Sequence, residues 1–354
     1  MTATQWMCCA VAASAMACGG AASEPDAAPG SPDAPAAPVD AAAADAPVDA
    51  PPPDAPPPDA DPTMPMRLSD TGLYTDVVAE TLADGVRAYA PRFPLWSDGA
   101  VKRRWVYLPP GSTIDTADMD FWRFPVGTKL WKEFVRDGVR VETRLLMKTA
   151  PDAWFMMAYA WLPDGSDAIA TPYGQPDALG TDHDIPSVSD CDKCHGRVPD
   201  VALGFSALQL DHADAGVSLT QLAADGLITD PPAAPLVVPG DATAAAALGY
   251  LHANCGTCHN DTSDVSVEHG LRLYLTVGAL GAVEDTPAYT TAVGVAPVHA
   301  IAGVTALIEP GNPEASAVHA RMATRGPIRM PPIASEVVDG DGLAAVDAWI
   351  ASLP

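Results

Sequence analysis

The sequence predicts an α+β, multidomain chain: a disordered amino-terminal linker, an antiparallel β-sandwich-like domain, and an all-helical domain at the carboxyl end. Three observations predict it. Residues 24–62 are almost only Ala, Pro, Asp and Val, residues 67–170 hold short aromatic or β-branched runs between turn signals, and helical periodicity begins only near residue 241.

The linker cannot build a core, because it lacks large apolar side chains and its prolines interrupt regular hydrogen bonding. Its clearest repeat is "DAPPPDAPPPDAD". Extended as polyproline II, such a stretch reaches roughly 120 Å. In the next part "KRRWVYLPPG", "TKLWKEFV", "VRVETRLLMK" and "AWFMMAYAWL" read as strands, and Asp137-Gly138 between two of them is a hairpin signal. Residues 171–240 are loop-rich, with a short helix expected around "SLTQLAADGL" ending at Gly226. From 241 to 354 the chain reads as helical. Asp241 is an N-cap candidate for "ATAAAALGYLHAN", and Leu343, Val346, Trp349, Ile350 and Leu353 form one stripe of a terminal helix.

The chain has 354 residues and a formal net charge of -26, which excludes nucleic acid as an expected partner and favours a basic redox partner protein. Nine of the acidic residues lie between Glu24 and Asp61, so part of this charge belongs to the linker. Cys8, Cys9 and Cys18 sit near the start, and the other four cysteines form two equally spaced pairs, "CDKCH" at 191–195 and "CGTCH" at 255–259. No cysteine is left over for an ordinary structural disulfide in the part expected to fold.

A single such pentapeptide fits a redox dithiol, half a zinc site or a haem attachment point. Two in one chain, each with its histidine, point to covalent haem. The thiols of Cys191 and Cys194, and of Cys255 and Cys258, are spaced for thioether bonds to two vinyl groups, and His195 and His259 then serve as proximal iron ligands. A zinc site of paired Cys-x-x-Cys type is disfavoured by the sixty residues between the pairs, against roughly 12–20 in common zinc modules. A thioredoxin-type dithiol lacks its βαβ setting. Residues 241–354 therefore read as a cytochrome c-like domain, with Met330 of "RGPIRMPPI" as the expected sixth ligand of the second haem and Met322 in reserve.

The sixth ligand of the first haem is open among His183, His212, His252, Met147, Met156 and Met157, and an open coordination position is a further alternative. His269, His299 and His319 are expected at the surface. Lys102-Arg103-Arg104 reads as a solvated strand edge, or as a partner of haem propionates.

The opening "MTATQWMCCAVAASAMACGG" resembles a bacterial lipoprotein signal, with Ala15-Met16-Ala17-Cys18 as lipobox and Cys18 as the lipidated residue, although the first basic residue is Arg67. Residues 1–18 are then signal and 19–66 tether. This implies export, and attachment to the cell envelope by a lipid anchor alone.

Taken with their order, "PLWSDGAVKRRWVYLPPG", "WRFPVGTKLWKEF", "ETRLLMK", "IPSVSDCDKCHG", "YLHANCGTCHN" and "RMPPIASEVVDGDGLAAVDAWI" resemble a family of predicted diheme c-type cytochromes of bacterial envelopes, across residues 92–354. The resemblance implies a β-rich amino-terminal part and two covalent haem c groups, one at Cys191, Cys194 and His195 and one at Cys255, Cys258 and His259. Residues 171–240 are too short and irregular to enclose a haem alone, so the β-rich part is expected to pack over the first. The expected function is electron transfer in an envelope redox chain. Two other readings are a diheme peroxidase-like oxidoreductase with an open first haem, and a carbohydrate-binding protein using Trp96, Trp105, Trp122, Trp131, Trp154 and Trp161.

Overall fold

The computed structural model describes residues 64–214, 216–333 and 335–354. The expected signal, Cys18 and nearly all of the expected linker lie outside these residues. The described chain opens with a small two-stranded sheet, β1 (Tyr74–Asp76) against β2 (Thr81–Leu82). Six strands then pair in chain order as one antiparallel meander: β3 (Val86–Ala88), β4 (Val101–Tyr107), β5 (Lys129–Arg136), β6 (Val139–Ala150), β7 (Ala153–Trp161) and β8 (Ala168–Ala170). Asp137 and Gly138 both take positive φ, 50° and 82°, in the tight turn that joins β5 to β6. That conformation matches the twist of the flanking strands.

Strand alternation gives the sheet two different faces. Trp105, Trp131 and Leu145 lie on one rung of the first face, buried under Leu68, Leu73, Tyr74 and Val77 of the amino-terminal segment. The second face carries Val106 and Leu130, but also Lys102, Arg104, Lys132, Glu142, Arg144 and Lys148.

Among the described residues eight α-helices follow the sheet: α1 (Val188–His195), α2 (Ala207–Leu210), α3 (Leu219–Ala224), α4 (Ala242–Asn254), α5 (Asp264–His269), α6 (Pro287–Ala292), α7 (Ala317–Ala323) and α8 (Gly340–Ser352). Val106, Leu130 and Phe124 belong to the same core cluster as Leu248 of α4 and Trp349 of α8. The described residues fall within one compact unit, Asp54–Pro354.

These observations correct the expected fold class. The β-rich part is a six-stranded sheet with a small two-stranded sheet and not a sandwich, and among the described residues no separately cored all-α domain follows it. The physical reason is that strand signals report alternation, not what covers each face. Here one face is covered by the short amino-terminal segment and the other by helices and loops.

The two parts meet tightly where Phe93, just before β4, packs its ring on Gly249 of α4. A Cβ at Gly249 would overlap the Phe93 ring. Gly342 gives the same clearance to Tyr250 between α4 and α8. Gly249→Ala is therefore expected to cost about 1–3 kcal/mol through overpacking. Gly278→Ala, which meets nothing within 4 Å, should stay within about 0.5 kcal/mol of the parent. Urea unfolding of both variants measures the contrast.

Candidate functional site

Helix α1 starts at a capping box: Ser187 Oγ accepts from the Asp190 N–H (3.2 Å), and the Asp190 carboxylate accepts from the Ser187 N–H (3.2 Å). Its last turns carry Cys191, Cys194 and His195, whose i, i+3, i+4 spacing places them on one face. Helix α4 is capped by Asp241, which accepts from the Ala244 N–H at 2.9 Å, and ends as the second motif begins. The motif itself is a turn, in which the Cys255 carbonyl accepts from the N–H of Cys258 (3.1 Å) and of His259 (2.9 Å). Asn260 fastens that turn by donating to the carbonyls of Gly256 (3.0 Å) and Thr257 (2.9 Å).

The two motifs meet. The Cys194 and Cys258 thiols act on each other, which pushes Cys194 up and pulls Cys258 down, and Cys258 Sγ lies 3.9 Å from the Lys193 carbonyl. Thr262 Oγ1 donates to the Arg197 carbonyl (3.0 Å), and Arg197 pairs with Asp264. All four cysteines are free thiols.

Both motifs line one cavity of about 340 Å³, within the range of roughly 300–1,000 Å³ usual for cofactor and small-molecule sites. Its walls include Leu203, Leu271, Leu273, Leu307 and Val318, and it also takes in Met330, Met322, Lys132 and Arg144. The structure thus brings Cys191, Cys194, His195, Cys255, Cys258, His259 and Met330 together around one space.

His195 is 8 % exposed, and its Nδ1–H donates to the Val201 carbonyl at 2.6 Å. That bond leaves Nε2 unprotonated, the state a metal-binding imidazole needs. Burial, then the charge of Lys132, pulls its pKa down to about 3, so the ring stays neutral. His259 is held by its backbone, its carbonyl accepting from the Leu273 N–H at 2.8 Å. Its Nδ1 is enclosed beside the Leu271 backbone without a hydrogen bond of normal geometry, and burial lowers its pKa to about 4.

Sequence reasoning missed what fixes Val201. The neighbouring Asp200 carboxylate is buried and accepts from Lys148 Nζ (2.5 and 2.6 Å), Trp154 Nε1 (2.8 Å) and the Phe124 N–H (2.5 Å). Asp200 and Val201 both take positive φ, 67° and 48°, which is rare for a β-branched residue and costs on the order of 1–3 kcal/mol. Nothing in "RVPDVALGF" advertises this bracket.

The other candidates scatter. His183 Nε2 meets Glu142 Oε1 at 2.7 Å, His212 Nε2 donates to the Ala90 carbonyl at 2.9 Å, and His252 Nδ1 accepts from the Leu275 N–H at 3.1 Å. None of the three lines the shared cavity. Met156 reaches only a side pocket of about 20 Å³ that also touches Cys191 and His195; Met147 and Met157 pack against the opposite face of the sheet, Met157 also bordering that pocket. His269 and His299, expected at the surface, sit against each other (ring centroids 5.3 Å apart) and line the cavity. His319 is held by Asp347 at 2.8 Å.

Lys102-Arg103-Arg104 is not a solvated edge, because β4 lies inside the sheet and Arg104 is 8 % exposed. Trp105, Trp122, Trp131 and Trp161 are core residues, whereas Trp96 and Trp154 are half-buried and Trp96 lines the large cavity. Among the described residues no group of three or more His, Cys, Asp or Glu is arranged to hold a metal ion directly. Haem iron needs no such group, since the protein supplies only its axial positions. The paired thiols, the oriented neutral His195 and the apolar walls fit covalent haem.

No family model, curated protein or solved structure matches the chain.

Removing the carboxylate in Asp200→Ala leaves Lys148 buried without its partner, an expected loss of about 3–5 kcal/mol. The double variant with Lys148→Met should recover part of it. Chemical unfolding of the single and double variants checks both, and equal stability of Asp200→Ala and the parent contradicts the bracket.

Proposed function

We propose that the chain is an exported diheme c-type cytochrome that carries electrons in a bacterial envelope redox chain. The observation that carries this reading is that both Cys-x-x-Cys-His motifs and Met330 line one cavity. Its haems, when bound, supply one-electron iron couples. Cys191 with Cys194, and Cys255 with Cys258, would hold them by thioether bonds. His195 presents Nε2 because Val201 occupies Nδ1. His259 takes the same part in the second motif.

Met330 offers a soft thioether to the second iron, and its N–H donates to the Arg321 carbonyl at 3.0 Å, which fixes the loop. Methionine ligation raises a haem potential, and the apolar walls limit water around it. The surplus of acidic residues suits docking to a partner with a basic surface, and the resemblance of the opening stretch to a lipoprotein signal suits a lipid anchor on Cys18.

A peroxidase-like oxidoreductase with an open first haem is the second reading. One observation favours it: His183, His212 and His252 are each held by hydrogen bonds outside the shared cavity.

Two measurements test these readings on the haem-loaded chain. A carrier is expected to show two reversible one-electron steps and no carbon monoxide binding in the reduced state; a carbon monoxide complex at one haem favours the enzyme. Met330→Ala should keep both covalent haems, lower the potential of the second by a roughly tenfold equilibrium shift, about 59 mV, and open it to carbon monoxide. An unchanged potential removes Met330 as a ligand.

A further inference from the structure

We propose, resting on the haem reading above, that Arg104 and Lys132 bind a carboxylate of the porphyrin held at the first motif. Arg104, Lys132 and Arg144 lie directly opposite one another on β4, β5 and β6, so three basic side chains share one rung of one face. Like charges in such register repel. Arg144 has its counterion, with Nε donating to Glu142 Oε2 at 2.8 Å, and it lies over the Phe134 ring at 4.2 Å. Glu142 is already engaged there, its other oxygen taking both Arg144 and His183.

Arg104 and Lys132 have no ion pair or side-chain hydrogen bond among the described residues; Lys132 has only the Phe134 ring, 5.6 Å away. A buried arginine cannot shed its charge, so it calls for an anion. Lys132 lines the large cavity beside Cys191, Cys194 and His195, and also the adjoining cavity of about 50 Å³ that Arg104 lines. The pair therefore waits where the two spaces meet.

The anion is best delivered by the cofactor itself. A net charge of -26 keeps free anions away, whereas a covalently attached porphyrin brings its own carboxylates. An arginine fork next to a lysine point charge suits that group.

The test uses the full chain without attached haem and two probes, zinc mesoporphyrin and its dimethyl ester, which differ only in the carboxylates. The diacid is expected to bind at least tenfold more tightly. Lys132→Met and Arg104→Met should each lose most of that preference, and Lys132→Arg should keep it. Equal affinity of the parent chain for the two probes overturns the assignment without recourse to any variant, as does a preference that survives both methionine substitutions. In the haem-loaded chain, Lys132→Met should lower the first haem's potential by a roughly tenfold equilibrium shift, about 59 mV, because a lost cation favours ferric iron. An unchanged potential contradicts the proposal. Failure of haem to attach at Cys191 and Cys194 instead overturns the proposed function, and the diacid preference of the unloaded chain reads the carboxylate pair separately.

Discussion

The Asp200 carboxylate lies under the sheet and accepts hydrogen bonds from Lys148 on β6, Trp154 on β7 and the backbone of Phe124. One residue further on, the Val201 carbonyl receives the Nδ1–H of His195. The first motif is therefore positioned by the sheet and not by its own helix alone. A segment as short as α1, with loops on both sides, has too little apolar surface to hold an imidazole in one orientation, and the buried ion pair supplies the rigid bracket.

The same sheet face gives the site its electrical character. The chain is strongly acidic, yet the rung beside the first motif is cationic and enclosed. Burial is the main reason His195 stays neutral, and the charge of Lys132 adds to it. The second motif has a different setting, with Met330 and Met322 near it and an apolar wall from Leu271, Leu273 and Val318. Two motifs of the same spacing thus sit in unlike surroundings, which under the proposed haem reading would set two redox centres at different potentials.

Much of the local structure was legible in the sequence. The Asp137-Gly138 turn, the four long strands, the Asp241 cap and the Val346–Trp349–Ile350 stripe all stand where their patterns put them. The Cys-x-x-Cys-His spacing marked both motifs, and the loop carrying Met330 lines their cavity. The sandwich was misread because alternation is the same whether a face meets a second sheet or a layer of helices. Ser187-x-x-Asp190 was a readable capping box ahead of the first motif and marks a helix that composition alone leaves as loop. Arg104 looked solvated because neither charge nor propensity reveals which strand becomes interior. Asp200 left no signal at all: its partners lie far away in sequence and meet it only through the fold.

The mass of the matured chain tests the central claim most directly. The full sequence would be produced with cytochrome c maturation machinery, and its intact mass and proteolytic peptides compared with those of chain made without it. Two covalent haems are expected, one on the peptide containing Cys191 and Cys194 and one on that containing Cys255 and Cys258. Unmodified thiols in both peptides would contradict it.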